Sequence, residues 1–507
     1  MLLEQLVNEI PILASHGNLQ TAVAALTCDS RQVTAGTLFF ALPGAKADGH
    51  GYIQQAVSAG AAAVVLEDAT CAPEQTPWIQ VKSGRQVMAL MAARFYGQPT
   101  NHLPLIGITG TNGKTTTSYL IEGILDAAKL SAAVLGTISY RFGNTCIEAS
   151  HTTPESTELQ GIFRQLADAG AKAFVMEVSS HALEQHRVDG SAFNVGVFTN
   201  LTRDHLDYHG SMEAYRDAKL RLFSELLKPD NSKPVRRAVI NADDPAAQEF
   251  IQAATCPVIR YGITTRHCEV TARELSSSVD GISGLLVMPD GCLPFHSRLV
   301  GSYNLSNILA AAATGVALEI TPEVIVAGIE QQKSVPGRLE RVDNNAGVTC
   351  LVDYAHTGDA LENVLGTLKK LATSRIITVF GCGGDRDNGK RPIMGKIAAD
   401  YSDLAIVTSD NPRTENPAVI LSQIREGIIP LAVHEYTTDA LGSDFSDKGF
   451  VVVENRREAI RLAVSLAQPG DILLLAGKGH EDYQIIGTTK HHFDDREEAI
   501  SAFREQT

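Results

Sequence analysis

The stretch Gly107-Ile-Thr-Gly-Thr-Asn-Gly-Lys-Thr-Thr-Thr117 decides the fold. It follows an apolar segment, Leu103 to Ile108, that reads as a buried strand. It precedes Ser118 to Leu130, where Leu120, Ile121, Ile124 and Leu125 recur at helical spacing. A glycine-rich turn between a strand and a helix gathers backbone N–H groups and a helix N-terminus around one point, which favours a phosphate there. Lys114 adds a mobile positive charge for terminal phosphates, and Thr115 offers a hydroxyl to Mg²⁺. Gly110, Thr111, Asn112, Gly113, Lys114, Thr115 and Thr116 are therefore the expected ATP cradle. The strict phosphate-loop pattern wants a glycine at position 108, which is Ile108; the nearest is Gly107. An ordinary Gly/Thr turn before a helix is the competing reading, and the strand-turn-helix context argues against it.

Upstream, residues 1–97 alternate short strand and helix patterns: Thr37 to Leu42, Tyr52 to Ala59, then Ala61 to Leu66. The run Pro99-Thr-Asn-His-Leu-Pro104 punctuates the end of this block. Residues 98–335 repeat helix-then-strand units, such as Glu158 to Gly170 followed by Ala173 to Val178, and then Val195 to Asn200. Val335-Pro-Gly-Arg338 marks a second boundary, and residues 336–507 repeat the theme with strands expected at 349–353, 376–380, 404–408 and 471–476. The alternation predicts an α/β protein of three domains with mainly parallel sheets covered on both faces.

At 507 residues the chain exceeds one core, and its 44% hydrophobic and 20% charged composition is ordinary for a globular protein. A net charge of −15 without a basic block argues against nucleic-acid binding, while leaving room for a nucleotide substrate held by local lysines and arginines. The eight cysteines are scattered with no Cys-x-x-Cys pair, as expected for free thiols in a reducing compartment. The start, Met1-Leu-Leu-Glu-Gln-Leu6, has neither a basic leader nor a long apolar core, and no apolar run reaches membrane-spanning length. The expectation is a cytoplasmic protein without membrane insertion, acting as a monomer.

Several constellations carry chemistry. Glu177, in Met176-Glu-Val-Ser-Ser-His181, ends a predicted strand and can ligate a Mg²⁺ bridging ATP phosphates, or sit as a surface or cap residue. Thr199 to His209 is dense in Asn, Arg, Asp and His; His205 is a candidate second metal ligand, and Asp204, Asp207 and His209 are candidate positioning residues. In the helix Tyr215 to Phe223, periodicity alone reads Lys219 as an amphipathic edge residue that snorkels to water. In the last block, Gly381-Cys-Gly-Gly-Asp-Arg-Asp387, Ser409-Asp-Asn-Pro-Arg413 and Ala476-Gly-Lys-Gly-His-Glu481 each follow an apolar strand. Loops at the carboxyl ends of such strands converge on ligands. Arg386 and Arg413 can each grip a carboxylate bidentately, and Glu481 can hold an ammonium, which together suit a zwitterionic amino acid.

Together these motifs resemble the Mur ligase family of peptidoglycan synthesis over essentially the whole chain. The matching pieces are Asp29-Ser-Arg31, Ala47-Asp-Gly49, the phosphate loop, His151-Thr-Thr-Pro154, Glu177 to His181, Asn200 to His209, Tyr303-Asn304, Pro336-Gly-Arg338, Asp353-Tyr-Ala-His356, Asp410-Asn-Pro-Arg413 and Gly477 to Glu481. The phosphate loop alone marks the superfamily, which includes folylpolyglutamate synthetases. Asp410-Asn-Pro-Arg413 is more specific and looks like a diaminopimelate-recognition tetrapeptide; lysine-adding relatives typically carry a different residue in place of the arginine.

The resemblance implies a UDP-binding domain at 1–97, a central ATP-binding domain at 98–335 and a Rossmann-like amino-acid-binding domain at 336–507. It implies that Ser30, Ala45, Lys46 and Ala47 lie near UDP, and that Thr152, Thr153, Ser179, Gln185 and Arg187 contact the muramoyl-dipeptide. Asn304, Arg338, Asp353 and His356 match nucleotide-side positions; Arg386, Asp410, Asn411, Pro412, Arg413, Gly477 and Glu481 match diaminopimelate-side positions. Lys114, Lys219 and His205 become catalytic positions, with Thr115, Glu177 and His205 around Mg²⁺ and Lys219 carbamylated.

The implied reaction joins meso-diaminopimelate to UDP-N-acetylmuramoyl-L-alanyl-D-glutamate with ATP as co-substrate, through an acyl phosphate. Lysine-adding and folylpolyglutamate ligases are the near alternatives. A P-loop switch or motor is the distant one, and the second acidic motif it needs after a strand is missing.

Overall fold

The computed structural model describes residues 1–44, 47–230, 232–233, 235–265, 267–443 and 445–506. It is α/β throughout, with three parallel-rich sheets. The first, in order across the sheet, is Ala14–His16, Trp78–Gln80, Ala63–Leu66, Thr37–Phe40 and Ala25–Thr27. Only the pairing of Ala14–His16 with Trp78–Gln80 is antiparallel. The central sheet runs Val258–Tyr261, Arg237–Asn241, Val195–Phe198, Leu105–Thr109, Ala173–Glu177, Ala132–Leu135, Ser139–Phe142 and Thr145–Glu148. Its last two strands turn back as an antiparallel hairpin, and the rest pair in parallel. The third sheet runs Glu340–Val342, Thr349–Asp353, Ile472–Ala476, Ile376–Phe380, Leu404–Val407, Gly449–Val452 and His434–Glu435, antiparallel only at its first pair.

Why these strands read as unbroken apolar runs is visible in Ile472–Ala476. Successive side chains point to opposite faces. Ile472, Leu474 and Ala476 enter one core with Leu361, Leu365 and Leu368, whereas Leu473 and Leu475 enter another with Ile460, Ala463 and Phe503. Helices cover both faces, so no alternation is left in the sequence. Gly358–Leu371 is one of them. It buries Leu361, Val364, Leu365 and Leu368 at helical spacing, and the Thr357 hydroxyl caps it by accepting the Ala360 N–H.

The chain divides into two compact units. One comprises Met1–Ala272 with Leu286–Leu293 and Ser306–Ile329; the other comprises Arg273–Leu285, Pro294–Leu305 and Glu330–Thr507. The first two sheets lie in the former and the third in the latter. A small antiparallel sheet, Thr271–Ser278, Gly281–Met288 and Gly291–Ser297, was not apparent from the sequence pattern. No helix among the described residues is long and apolar enough to cross a membrane.

The expected helix after the phosphate loop begins earlier than periodicity indicates. It spans Lys114–Ala127, so Lys114 and the three following threonines form its first turn. Three β-branched residues in a row are weak helix formers, and the helical pattern becomes visible only beyond them.

Candidate active site

Four neighbouring parallel strands deliver the first set of side chains at their carboxyl ends. Leu105–Thr109 leads into the phosphate loop, Ala132–Leu135 into Gly136-Thr137, Ala173–Glu177 ends at Glu177, and Val195–Phe198 leads into Thr199-Asn200. The phosphate loop is tied to the last of these. Asn200 accepts the Thr111 N–H on its carbonyl at 2.9 Å and the Asn112 N–H on its side-chain oxygen at 2.9 Å, and the Thr199 hydroxyl donates to the Asn112 carbonyl at 2.7 Å. Gly110 (φ 150°) and Gly113 (φ 86°) make the turn; a side chain at either would run into Thr199 or Asn307. Thr111 also shares a hydroxyl contact of 3.2 Å with Tyr215, and Thr115 and Thr116 are buried at the helix start.

Two lysines converge on one carbonyl here. Lys114 Nζ donates to the Gly110 carbonyl at 2.9 Å and the Thr111 carbonyl at 2.8 Å, and Lys219 Nζ donates to the same Gly110 carbonyl at 2.9 Å. Lys219 is 1% exposed and lies 4.5 Å from the centre of the Tyr215 ring. The periodicity reading of Lys219 as a snorkelling edge residue is therefore wrong. Tyr215, Ala218 and Lys219 form one buried face of the helix Met212–Arg221, and nothing local tells that this face meets the phosphate loop rather than water. Burial first, and then the charge of Lys114, push the Lys219 ammonium well below the ordinary lysine range, with Asp204 opposing.

Glu177 is likewise no surface residue. It is 1% exposed, and its carboxylate accepts the Thr137 N–H at 3.2 Å and the Thr137 hydroxyl at 3.0 Å. The five expected dipeptide-side residues join the same network. The Thr152 hydroxyl meets that of Thr137 at 3.1 Å. Thr153 donates to the Glu177 carbonyl at 2.9 Å and accepts the Ser179 N–H at 3.1 Å. Arg187 donates to the Thr153 carbonyl at 2.8 Å and to Gln185 Oε1 at 2.9 Å, and pairs with Glu155 at 2.9 Å. Gln185 donates to the Tyr208 hydroxyl at 2.8 Å. Thr137, Glu155 and Tyr208 were missed from sequence; for Thr137 the available clue was a Gly-Thr pair closing a short apolar strand.

His205 has φ 53° and half-exposed, with Nε2 3.4 Å from Asp204. Its ring stands edge-on to His181 at 5.0 Å, and His181 packs against Tyr208 at 4.1 Å. Burial, then His205 and His209, hold His181 down to about 4, so it is neutral at pH 7. His209 Nε2 contacts the Ser180 hydroxyl at 2.9 Å and Nδ1 contacts Glu184 at 3.1 Å. Asp204 and Asp207 are exposed. Among the described residues no group of three or more His, Cys, Asp or Glu side chains is arranged to hold a metal ion.

On the UDP side, Ser30 opens a 3₁₀ turn capped by Asp29, and its hydroxyl donates to Gln55 at 3.3 Å. Ala47 is exposed, while Ala45 and Lys46 lie outside the described residues.

In the other unit, Arg338, Asp353 and His356 come together. Asp353 accepts the Leu339 N–H at 2.7 Å and the Ala355 N–H at 2.8 Å, and burial raises its carboxyl pKa. Arg338 lies over the Tyr354 ring at 5.1 Å, and the His356 ring packs on the same tyrosine at 4.5 Å. Asn304 is buried, with Nδ2 donating to the Val300 carbonyl at 2.8 Å.

The three loops expected to receive an amino acid also meet. Arg413 has φ 53°, a conformation costing a non-glycine residue about 1–3 kcal/mol. It is held there by its N–H on the Ile485 carbonyl at 3.1 Å and its carbonyl under the Gly487 N–H at 2.8 Å. Its Nη1 donates to the Gly384 carbonyl at 2.8 Å, and among the described residues it pairs with no carboxylate. Arg386 is exposed, and the position of Gly383 borders both arginines: a Cβ there would lie 3.0 Å from Arg413 Nη1 and 3.9 Å from Arg386 Cγ. Beneath them, fully buried Arg391 forks onto Glu415 with two 2.9 Å bonds and ties the loops together. Asn411 Nδ2 donates to Glu481 Oε2 at 2.9 Å. Burial works to raise the Asp410 carboxyl, yet Lys478 and Arg456 outweigh it and hold it below the usual range. Glu481 goes the other way, raised by burial and by Asp410. Pro412 is buried, and Gly477 donates its N–H to the Asp353 carbonyl at 3.0 Å.

Family comparisons follow the same order along the chain. The Mur ligase family catalytic domain matches residues 22–96, the Mur ligase middle domain residues 108–315, and the Mur ligase glutamate ligase domain residues 337–479. A UDP-N-acetylmuramoyl-L-alanyl-D-glutamate–2,6-diaminopimelate ligase of Geobacter metallireducens is 60% identical over 505 residues, covering 100% of this chain and 99% of its own. The chain belongs to the Mur ligase family. A second Mur ligase of the same description, from Geobacillus kaustophilus, is 43% identical over 506 residues and covers 100% of both chains. A solved structure of a ligase of that description superposes with a TM-score of 0.73 at 34% identity, covering 100% of this Mur ligase and 99% of its own chain.

Proposed function

We propose that this Mur ligase is an ATP-dependent, ADP-forming enzyme that adds meso-diaminopimelate to UDP-N-acetylmuramoyl-L-alanyl-D-glutamate in peptidoglycan synthesis. The observation that carries the substrate choice is Arg413, strained and without a carboxylate partner among the described residues, on the loop that also places Asn411 against Glu481. An arginine suits the distal carboxylate of diaminopimelate, and Glu481 suits an ammonium. The names of the relatives point the same way.

A carboxylate is a poor electrophile, so the free carboxylate of the D-glutamyl residue first attacks the γ-phosphorus of ATP, releasing ADP and forming an acyl phosphate. The amine of diaminopimelate then adds to the acyl carbon; the tetrahedral intermediate collapses to the amide, expelling phosphate and a proton. Lys114 and the phosphate-loop N–H groups stabilise charge on the transferring phosphoryl group. The network of Thr152, Thr153, Ser179, Gln185 and Arg187 holds the dipeptide substrate. Arg386, Asp410, Asn411, Pro412, Arg413, Gly477 and Glu481 form the amino-acid side, Asn304, Arg338, Asp353 and His356 the nucleotide side, and Ser30 with the 45–47 turn the UDP side.

Lys219 is the proposed site of carbamylation. Its burial and the nearby Lys114 favour the neutral amine that attacks CO₂, and the product is an anion where two lysines otherwise crowd one carbonyl. The donors present fit Mg²⁺: the buried Glu177 carboxylate, oriented by Thr137, and the Thr115 hydroxyl are hard oxygen ligands, with the His205 imidazole as a further candidate. When bound, the ion supplies charge neutralisation at the phosphates. The proposed organisation is UDP binding at 1–97, ATP binding at 98–335 and amino-acid binding at 336–507. The proposed setting is the cytoplasm, where ATP and UDP-linked precursors are available, with the enzyme a monomer.

The test is ATP consumption with the UDP-muramoyl-dipeptide, with and without meso-diaminopimelate, read together with formation of the tripeptide. Dependence on all three substrates is expected. ATP turnover that ignores the amino acid, or no tripeptide, overturns the reading.

A further inference from the structure

Lys478 is wholly buried, yet neither the expected amino-acid contacts nor the chemistry above uses it. It follows the strand Ile472–Ala476, and its ammonium is surrounded by groups from the loops that flank that strand. Nζ donates to the Tyr483 carbonyl at 2.6 Å and to Asn411 Oδ1 at 3.1 Å, and lies 3.1 Å from Asp410 and 3.9 Å from Glu481. A lysine this deep is tolerated because its charge is paired and its donors are met.

The consequence falls on Asn411. An amide can flip end for end, and its orientation is set by its neighbours. Asn411 Oδ1 accepts two donors, Lys478 Nζ at 3.1 Å and the Ile485 N–H at 3.0 Å. Nδ2 is thereby turned to Glu481 Oε2 at 2.9 Å. One oxygen of Glu481 is thus anchored, and Oε1 takes no hydrogen bond from the described residues. Gln484 reinforces the arrangement by donating to the Asp410 carbonyl at 2.7 Å.

We propose that Lys478 is a positioning residue for amino-acid recognition: through Asn411 it fixes the carboxylate of Glu481 in the orientation that receives the substrate ammonium. This rests on the reading that these loops bind diaminopimelate. Lys478 does not touch the substrate in this scheme. Its loss leaves the Asn411 amide held by the Ile485 N–H alone and removes the buried cation beside Glu481, so the Glu481 carboxylate is held less firmly.

The test is the steady-state kinetics of Lys478→Met beside the wild type, with the UDP-muramoyl-dipeptide saturating. A rise in KM for meso-diaminopimelate of about tenfold or more is expected, with KM for ATP and kcat at saturating diaminopimelate within about twofold. A general loss of folded enzyme would instead depress the apparent kcat and leave every KM unchanged. If Lys478→Met does not fold, the charge-balanced pair Asp410→Asn/Lys478→Met is compared with Asp410→Asn alone, and the same selective rise in KM is expected between them. An unchanged KM for diaminopimelate, or equal losses toward ATP and diaminopimelate, overturns the proposal while leaving the ligase reading intact. A wild type that forms no tripeptide from diaminopimelate overturns both.

Discussion

The phosphate loop and the amino-acid loops handle charge in opposite ways. At the phosphate loop Lys114 and Lys219 both reach the Gly110 carbonyl, and Lys219 has no ion-pair partner among the described residues. In the amino-acid loops most buried cations come with an acid: Lys478 with Asp410, Arg456 with Asp495, and Arg391 with Glu415. Arg413 is left over. The first region gathers two lysines at one carbonyl, which suits the polyphosphate proposed to bind there. The second pairs its buried cations internally and leaves Arg413 and the exposed Arg386 without an ion-pair partner among the described residues, which suits the carboxylates of the proposed amino acid. One region is therefore read by total charge and the other by placement of charge.

The sharpest way to break this contrast is to change the amino acid. L-Lysine lacks the distal carboxylate, and a site built to bond a group rejects an analogue lacking it by about 10⁴ in well-made cases. Preference of that order for meso-diaminopimelate over L-lysine is expected in kcat/KM. Equal use of the two would mean that Arg413 and Arg386 do not read that carboxylate.

Substitutions at the phosphate loop come next. Lys114→Ala should lower kcat by about 10²–10³, the usual cost of removing one electrostatic stabiliser of a transition state, with an unchanged circular dichroism spectrum. Lys219→Ala should be comparably poor, and added short carboxylic acids should restore part of the activity by filling the vacated anionic position. A fully active alanine variant at 219, or mass spectrometry of native enzyme showing no CO₂ adduct together with no acid rescue, would reject carbamylation.

Arg413 tests the other side. Arg413→Ala should raise KM for diaminopimelate roughly ten- to a hundredfold, the worth of a lost charge-assisted pair, and leave KM for ATP nearly unchanged. An ATP-selective defect would move Arg413 to the nucleotide side and erase the contrast between the regions.

The two regions also differ in how much of them the sequence revealed. Leu105–Thr109 and Ile472–Ala476 stood out because strands covered on both faces carry unbroken apolar runs. The loops that follow them stood out because glycine and charge cluster there. The hairpin Ser139–Phe142 and Thr145–Glu148 had a readable Gly143-Asn144 turn, with Gly143 at φ 54°, but its strands are only four residues long and the second alternates partly buried and exposed positions. Lys219 and Glu177 were misjudged by local pattern because burial depends on which element packs on that face. Lys478 is the extreme case. A lysine inside Gly477-Lys-Gly-His-Glu481 looks like a surface residue or a ligand contact, and only the loops around it show that it is a buried hub. Family resemblance supplied Lys219; no property of the residue itself did.

The smallest expected effect is a pH dependence in the amino-acid loops. Burial and the neighbouring Asp410 raise the Glu481 carboxyl above its ordinary range, against the opposing pull of Lys478, Asn411 and Arg413. A raised acid loses its charge earlier as pH falls, so Glu481 becomes neutral while ordinary carboxylates are still ionised. Asp410 is held below the usual range and stays charged through the same interval. KM for diaminopimelate should therefore rise several-fold as pH falls from neutral toward the ordinary carboxylate range. The limb in KM for diaminopimelate is told apart from any titration of the nucleotide-side Asp353, whose carboxyl burial also raises, by its dependence on Glu481. Glu481→Gln should start with a high KM for diaminopimelate and lose the acidic limb altogether. If the limb persists in Glu481→Gln, the titrating group lies elsewhere, and the ammonium is not held by Glu481.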